Sequence, residues 1–297
     1  MIFQNQDSSD DDFQPAEFER QVTIAVDATV LTIAGSDPSG GAGLQADLKA
    51  FQQLGCYGMS VVTLLTVQNT QEVAGIELMK PALVVQQLEA VLSDIPPRVV
   101  KTGALGSAEI ISEIGQRLAG ESLPLVVDPV LVSKHGHRLA DDSSIEAYLE
   151  SLMPMASVFT PNRYEAAMLL DRKLESLQEC AQAAEDLRRM GPQHVLLKAG
   201  AEKGMQHHMY ASANGVIGIE LPTLESNNTH GAGCILSAVI AARLCRKIRG
   251  SISSEVVREA VHYALTATHQ AIELGPELGQ GIGPVESRIL HYEESEA

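Results

Sequence analysis

Short apolar runs alternate with amphipathic helical patterns along most of the chain. Helical patterns such as 44–55 and the apolar stripe within 83–92 separate these runs. Strands and helices that alternate in this way form a parallel sheet covered on both faces, joined by right-handed crossovers. We therefore expect a doubly wound, mostly parallel α/β fold in a single domain. The runs that predict buried strands are 30–35, 59–67, 98–103, 123–129, 156–161 and 194–200.

The N-terminal segment lacks this pattern. Residues 1–20 are acidic and polar, so we expect a disordered tail ahead of a domain that covers 21–297. The segment has neither a basic start nor an apolar core, and it does not resemble a signal peptide. No apolar run in the chain is long enough for a membrane span. These features predict a soluble, cytoplasmic protein.

Charge and cysteine content narrow the partners and the compartment. The formal net charge is -17, from 38 acidic and 21 basic side chains, so most of the surface repels a polyanion. We expect no nucleic-acid partner and no membrane partner, although a local cluster of backbone N–H groups with one lysine can still bind a small phosphorylated ligand. The absence of CxxC spacing indicates a reducing compartment. The cysteines are Cys56, Cys180, Cys234 and Cys245.

The first predicted strand ends in a glycine-rich loop, "GSDPSGGAG" at 35–43. The overlapping "GAGLQA" matches the loose dinucleotide pattern G-x-G-x-x-A, but no acidic residue follows at the spacing that a ribose requires. A loop that needs glycines only for its backbone conformation is the alternative. Asp37 and Asp47 flank a backbone without bulky side chains, which favours a small ligand whose hydroxyl or amine they accept.

Polar residues follow the later predicted strands as well, at the edge where ligands bind in such sheets. Asp128 precedes Pro129, so its carboxylate is expected to point into the crevice. Asn162 and Glu165 have the spacing of a capping box and also the chemistry of Mg²⁺ ligands, and both interpretations remain open. Lys198 ends its predicted strand, where it either grips a phosphate or extends its ammonium to solvent.

The stretch "NNTHGAGCIL" at 227–236 joins a glycine turn to an apolar helical pattern. Gly231 and Gly233 let the backbone fold tightly, and the N–H groups at the helix start form an anion hole. The same N–H groups are expected to lower the thiol pKa of Cys234. A small core cysteine beside a packing glycine is the alternative.

In this order, the motifs resemble the hydroxymethylpyrimidine and phosphomethylpyrimidine kinases of thiamine biosynthesis. This family is a branch of the ribokinase-like superfamily, which also contains related pyridoxal kinases. The resemblance runs from about Leu31 to "GIGP" at 281–284, and its most specific stretch is "TIAGSDPSGGAGLQADLKAFQQLGCYG". It implies a ribokinase-like fold, a homodimer, and ATP-dependent phosphorylation of a hydroxymethyl group on an aminopyrimidine, often followed by phosphorylation of the monophosphate.

The resemblance also assigns roles to residues. The pyrimidine-binding set it implies is Gly35, Asp37, Ala42, Asp47 and Gln68. The metal set is Asp128 and Glu165, and the ATP and phosphate set is Asn162, Lys198 and Thr229. The anion hole and catalytic set is Gly231, Ala232, Gly233 and Cys234. Here Cys234 accepts or orients the hydroxymethyl proton.

Three motifs differ from those usual in the family, and three other functions remain open. Ala232 stands where the family usually has threonine, Ala201 where it has histidine, and Asn227 where it commonly has lysine, so polar contacts are lost. Pyridoxal kinase is one alternative, and a pyrimidine-binding regulator with weakened catalysis is a second. A cysteine hydrolase with His230 or His135 as base is the third.

Overall fold

The computed structural model describes residues 28–132, 141–248, 250 and 252–291. The predicted tail at 1–20 and the candidate base His135 lie outside these residues.

Nine strands form one sheet, in the order β3-β2-β1-β4-β5-β6-β7-β8-β9. All neighbouring strands from β2 to β7 in this order pair in parallel, whereas β3, β8 and β9 join as antiparallel strands at the two edges. The strands are Thr29–Ser36 (β1), Tyr57–Gln68 (β2), Val73–Leu78 (β3), Val99–Thr102 (β4), Leu125–Val127 (β5), Val158–Phe159 (β6), His194–Glu202 (β7), Met205–Ser212 (β8) and Gly215–Pro222 (β9).

Eight α-helices cover the sheet within the described ranges. They are Gly43–Gln53 (α1), Pro81–Asp94 (α2), Ala108–Leu118 (α3), Asp142–Ala147 (α4), Arg163–Leu169 (α5), Leu177–Arg189 (α6), Ala232–Lys247 (α7) and Ser254–Glu273 (α8). Helices α1, α7 and α8 pack on one face of the sheet, and α2 to α6 pack on the other. Val30 and Leu31 are neighbours in β1 that point to opposite faces, yet both are fully buried. Burial of both faces explains the continuous apolar runs and confirms the predicted doubly wound, mostly parallel α/β fold.

The three antiparallel strands were not predicted from the sequence. Strand β3 and strand β9 are largely exposed, so their sequences lack a continuous apolar run. The sequence also placed a strand end at Lys198, whereas β7 continues to Glu202 through an irregularity between Lys198 and Gly200. The hairpin of β8 and β9 therefore extends the sheet beyond its parallel centre.

Within the described part of the chain, no helix has both the length and the apolar character that a membrane crossing requires.

Candidate active site

A cleft of about 1050 Å³ opens along the edge formed by the carboxyl ends of the parallel strands. We call the part built by the loop after β1, the end of β2 and His230 the loop end. The part built by Asp128, Asn162, Glu165, Lys198 and the first turn of α7 is the charged end. The cleft brings together every residue of the predicted sites except Asp47. Its lining includes Gly35, Asp37, Ala42, Gln68, Asp128, Asn162, Glu165, Lys198, Thr229, Gly231, Ala232, Gly233 and Cys234.

Asp37 organises the loop end. Its Oδ1 accepts hydrogen bonds from the backbone N–H and the hydroxyl of Ser39, and its Oδ2 accepts the N–H of Ala42 at 2.8 Å. Burial alone would raise the pKa of Asp37, but hydrogen bonds from His230, Ser39 and Ala42 hold that pKa below its usual value. The sequence predicted that this carboxylate accepts a group of the ligand. Its oxygens hold the loop in the described structure, and Asp37 itself also lines the cleft.

His230 links this loop to β2. Its Nε2 lies 2.7 Å from Oδ2 of Asp37 and 3.2 Å from the amide nitrogen of Gln68. An ionised carboxylate only accepts, so Nε2 carries a hydrogen and donates it to Asp37. Gln68 also lines the cleft, so its amide group is accessible to a ligand there. The sequence had considered His230 only as the base of a hydrolase.

The loop end depends on a close approach between two turns. Gly231 has a φ of 79°, in the left-handed region, and a Cβ there would overlap the carbonyl oxygen of Gly41. A Cβ on Gly41 would in turn overlap the ring of His230. Glycine is therefore required at both positions for the start of α7 to reach the loop after β1.

The prediction that Asp47 binds the substrate needs correction. It is fully buried on α1 and does not line the cleft. Its Oδ2 accepts hydrogen bonds from Nζ of Lys101 at 2.8 Å and from the hydroxyl of Thr32 at 2.6 Å. The position faces the sheet because it belongs to the packed face of α1, together with Ala46 and Ala50. Asp47 is thus no direct substrate ligand in this geometry.

Lys101 was not among the predicted site residues. Its ammonium carries the positive charge that pairs with the carboxylate of Asp47. Lys101 is fully buried in β4 and lines the cleft. Burial lowers the pKa of its ammonium, but Asp47, Cys234 and Asp128 raise that pKa above its usual value. The signal available in the sequence was a lysine inside an apolar strand, "RVVKTG" at 98–103, where an unpaired charge is too costly to keep.

Lys198 and Asp128 form the centre of the charged end. Nζ of Lys198 lies 3.1 Å from Oδ1 of Asp128, which also accepts the hydroxyl of Thr160 at 2.9 Å. Burial lowers the pKa of Lys198, whereas Asp128 and Glu165 raise it, and the net shift is upward. A Cβ on Gly233 would lie 3.6 Å from Nζ of Lys198. The ammonium therefore sits directly beside the first turn of α7.

Asn162 and Glu165 form the capping box that was one of their two predicted roles. The side chain of Asn162 accepts the backbone N–H groups of Tyr164 and Glu165, and Glu165 accepts the N–H of Asn162 at 2.8 Å. Both also line the cleft, so the cap does not exclude a ligand. Burial raises the pKa of Glu165 to about 7, with Lys198 opposing and Asp128 adding to the rise.

Cys234 lies in the first turn of α7, where the sequence predicted a lowered thiol pKa. The direction is the opposite. Burial raises the pKa of Cys234 to about 11, although the charge of Lys101 and a hydrogen bond from the N–H of Gly43 oppose the rise. Desolvation and the negative charges of Asp47 and Asp128 thus outweigh the helix N-terminus. The thiol is protonated at neutral pH.

The carboxylate groups at the charged end are suitable ligands for a magnesium ion. Asp128 and Glu165 provide two buried carboxylates in one cleft, and oxygen ligands are those that Mg²⁺ prefers. The described residues contain no cluster of three or more acidic, histidine or cysteine side chains that could hold a metal. Two carboxylates match the usual arrangement, in which Mg²⁺ keeps several waters and is shared with nucleotide phosphates.

Three of the positions that differ from the family motifs are spread over the site. Ala232 is the first residue of α7, and Ala201 follows the irregularity in β7, and both line the cleft. Asn227 is exposed and is not part of the cleft lining. The missing hydroxyl at position 232 is thus closest to where a phosphate would meet the helix.

Comparison with known proteins identifies relatives along most of the chain. The family model described as phosphomethylpyrimidine kinase matches residues 37–286. The thiamine biosynthesis bifunctional protein ThiED of Geobacter sulfurreducens is 41% identical over 277 residues, which are 90% of this chain and 53% of that protein. The chain therefore spans about half of that bifunctional relative. The hydroxymethylpyrimidine/phosphomethylpyrimidine kinase of Synechococcus elongatus is 38% identical over 86% of this chain and 95% of its own length.

Solved structures agree with these matches. The pyridoxal kinase of Staphylococcus aureus in complex with AMP-PCP superposes with a TM-score of 0.79 at 34% identity, covering 88% of this chain and 93% of that one. The phosphomethylpyrimidine kinase of Clostridium difficile gives a TM-score of 0.68 at 38% identity, with coverage of 80% and 98%.

Proposed function

The chain belongs to the phosphomethylpyrimidine kinase family, and on that premise we propose that it phosphorylates 4-amino-5-hydroxymethyl-2-methylpyrimidine with ATP. We propose that it then phosphorylates the monophosphate, in the biosynthesis of thiamine diphosphate. One observation carries the proposal. The Lys198–Asp128 pair lies beside Gly233 at the N-terminus of α7, in the same cleft as Cys234 and the amide of Gln68.

The loop end is proposed to bind the pyrimidine. Gly35 and Ala42 present backbone without bulky side chains, which leaves room for a flat ring. The amide of Gln68 is proposed to hydrogen-bond the ring, since an amide can both donate to a ring nitrogen and accept from an amino group. Asp37 contributes indirectly, since its hydrogen bonds hold Ala42 and His230 in place.

The charged end is proposed to carry out the transfer. Phosphoryl transfer passes through a loose transition state, so catalysis consists mainly of positioning and charge neutralisation. Lys198 neutralises the transferred phosphate, the N–H groups of residues 231–234 bind its oxygens, and Asn162 and Thr229 contact the nucleotide phosphates. The bond from the hydroxymethyl oxygen to phosphorus forms as the bond to the leaving ADP oxygen breaks. Cys234 orients the hydroxyl through its thiol, and the fraction of Cys234 that is present as thiolate takes up the hydroxyl proton.

Asp128 and Glu165 are proposed to hold Mg²⁺ together with the nucleotide phosphates. The bound ion adds positive charge at the phosphates. This role agrees with the burial of both carboxylates in the cleft. Removal of the metal with a chelator should abolish turnover, and added Mg²⁺ should restore it.

ADP release tests the proposed function. Purified protein with Mg-ATP should release ADP when the pyrimidine alcohol is added, and also when its monophosphate is added. Binding of the alcohol without release of ADP would support the regulator instead. Release with the alcohol but not with the monophosphate would remove only the second step.

Pyridoxal phosphorylation is the second candidate function. The observation in its favour is the TM-score of 0.79 to a pyridoxal kinase, which is higher than the 0.68 to a phosphomethylpyrimidine kinase. The sequence identities, 34% and 38%, have the opposite order. A comparison of kcat/KM for the two alcohols distinguishes the candidates, and an equal or higher value for pyridoxal would favour pyridoxal kinase.

A homodimer is proposed from the hairpin of β2 and β3. Large apolar side chains lie on both faces of this hairpin, Leu65 and Val67 on one and Ile76 and Leu78 on the other, and each is more than 40% exposed. A second copy would bury them. Light scattering during size-exclusion chromatography should give twice the monomer mass, and Val67→Lys should shift the protein towards monomer.

We propose a cytoplasmic location and small-molecule partners only. Cys56, Cys180 and Cys234 form no disulfide in the described part of the chain, as expected in a reducing compartment. The net charge of -17 disfavours nucleic acid.

A further inference from the structure

The glycine-rich segment 275–283, which we call the strap, has no role in the proposed binding of either substrate. It follows α8, and its last three residues begin the "GIGP" stretch of the family resemblance. Neither the strap nor Thr70 is among the described residues that line the cleft. The contacts of the strap nevertheless lead to two residues of the loop end.

Thr70 follows the end of β2 and holds the middle of the strap. Its Oγ1 accepts the backbone N–H groups of Gln280 and Gly281, each at 3.2 Å, and its carbonyl oxygen accepts the N–H of Ile282 at 2.8 Å. A Cβ on Gly279 would overlap Oγ1 of Thr70. The strap therefore comes so close to Thr70 that position 279 has no room for a side chain.

The two ends of the strap contact the turn before α7. Nδ2 of Asn228 donates to the carbonyl oxygen of Gly275 at 3.1 Å, and a Cβ on Gly283 would overlap Oδ1 of Asn228. The backbone N–H of His230 donates to the carbonyl oxygen of Gly283 at 2.9 Å. The strap therefore connects Thr70 to the backbone of His230.

The end of β2 needs such a connection. The backbone pairing of β1 with β2 ends at Leu65, so in the described sheet the last residues of β2 pair only with β3. Strand β3 is a largely exposed edge strand and provides little support. Gln68 lies in this part of β2, two residues before Thr70. Its side chain approaches that of His230 to 3.2 Å, and the strap is what links the backbones of the two segments.

We propose that Thr70 and Asn228 are positioning residues for the pyrimidine site. Through the strap, they fix the end of β2 relative to the turn before α7, and so hold Gln68 beside His230. A site that is fixed before the ligand arrives loses less conformational freedom on binding. This proposal rests on the proposed function, in which the amide of Gln68 binds the ring.

Two substitutions of Thr70 test this role. Thr70→Val removes the hydroxyl and keeps the shape, whereas Thr70→Ser keeps the hydroxyl. By calorimetry, Thr70→Val should weaken binding of the pyrimidine alcohol about three- to tenfold, as expected for lost hydrogen bonds, and Thr70→Ser should restore it. The affinity for ATP should stay the same in both. Gln71→Ala is the control, because it removes only an exposed side-chain contact of 3.4 Å to Gln280.

Three results would overturn the proposal. They are unchanged pyrimidine affinity in Thr70→Val, equal losses in Thr70→Val and Thr70→Ser, and a loss of ATP affinity as large as that for the pyrimidine. The last result would indicate a general structural effect.

A glycine pair tests the same contact from the strap. Gly279 and Gly204 both have a φ in the left-handed region, 84° and 78°, so an alanine causes similar backbone strain at either position. Nothing lies within 4 Å of a Cβ on Gly204, whereas a Cβ on Gly279 meets Thr70. Only Gly279→Ala should weaken pyrimidine binding, and equal affinities in Gly279→Ala and Gly204→Ala would contradict the proposal.

Hydrogen exchange without any ligand separates this proposal from the proposed function. The backbone N–H of His230 should exchange about three- to tenfold faster in Thr70→Val than in the wild type, and Thr70→Ser should restore the slow rate. An unchanged rate in Thr70→Val would overturn the proposed link. Faster exchange in a protein whose wild type binds no pyrimidine alcohol would refute the proposed function and support the link between Thr70 and His230.

Discussion

The two ends of the cleft are built differently. At the loop end, the charge of Asp37 is satisfied by the loop itself and by His230, and the pKa of Asp37 is lowered. At the charged end, burial raises the pKa of Glu165 to about 7 and that of Cys234 to about 11. One end is therefore prepared before any ligand arrives, whereas the other holds groups whose charge is incompletely balanced.

This difference corresponds to the chemistry that each end is proposed to perform. A flat aromatic ring is recognised by a few fixed hydrogen bonds, which a rigid network provides at little cost on binding. A transferred phosphate changes its charge distribution during the reaction, and groups whose pKa values are shifted respond to that change. Variants at the charged end should therefore affect turnover, and variants at the loop end should affect binding.

The largest effect is expected for Cys234→Ala. Loss of the group that takes up the hydroxyl proton should lower kcat by about 10²–10⁴-fold. The affinity for the pyrimidine, measured by calorimetry, should change little, because the ring is held at the other end. Unchanged turnover would remove Cys234 from catalysis, and an equal loss of affinity would erase the distinction between the two ends.

Lys198→Met should have the next largest effect. It removes the cation beside the first turn of α7 and should lower kcat by about 10²–10³-fold. Lys203→Met is the matched control, because that side chain is 87% exposed and lies in the turn between β7 and β8. Steady-state kinetics with both variants checks the prediction. Similar losses in the two proteins would indicate a general effect of charge.

Gln68→Ala should weaken pyrimidine binding by about 1–3 kcal/mol, since ring groups would be left without a partner. The affinity for ATP should stay the same. Gln71→Ala provides the control, because Gln71 is exposed near the end of the same strand. Calorimetry that finds equal pyrimidine affinity in the wild type and Gln68→Ala would remove Gln68 from the pocket.

Asn162→Ala tests which of two roles dominates. Loss of the helix cap should lower the free energy of unfolding by about 0.5–2 kcal/mol in urea titrations. Ser176→Ala removes the same kind of capping box from α6 and gives the reference. If Asn162 also contacts phosphate, only Asn162→Ala will lose affinity for ATP. Equal affinity for ATP in both variants would restrict Asn162 to capping.

The smallest effect is a difference in pH dependence. The folded-state pKa of Glu165, about 7, exceeds the usual 4.5. The contribution of Glu165 to the stability of the folded protein is therefore complete below pH 4.5 and is lost as the pH rises through 7. Between about pH 6 and pH 8, the wild type should lose about 2–4 °C more in melting temperature than Glu165→Gln. The glutamine keeps the capping contact. Identical losses would mean that Glu165 does not titrate in this range.

The sequence predicted the fold better than the electrostatics. Strands buried on both faces are continuous apolar runs, so the parallel centre of the sheet was recognisable, and the exposed strands β3 and β9 were not. Residues at strand ends indicated the cleft, because parallel strands bring their carboxyl ends to one edge.

Two errors share a physical cause. Asp47 was assigned to the substrate, and the pKa of Cys234 was expected to be lowered. Both depend on burial and on charges distant in sequence: Lys101 pairs with Asp47, and the carboxylates of Asp47 and Asp128 raise the pKa of Cys234. Local sequence patterns show which residues begin a helix. They do not show which charged side chains the fold places next to those residues. The network of His230, Asp37 and Gln68 was missed for the same reason.

A competition between the two alcohols tests the central claim most directly. The pyrimidine alcohol and pyridoxal are mixed at equal concentrations with Mg-ATP and the protein, and the products are measured by mass spectrometry. We expect the pyrimidine phosphate to form first and to predominate. A predominance of pyridoxal phosphate would contradict the substrate assignment, and the absence of both phosphate esters would contradict the kinase function.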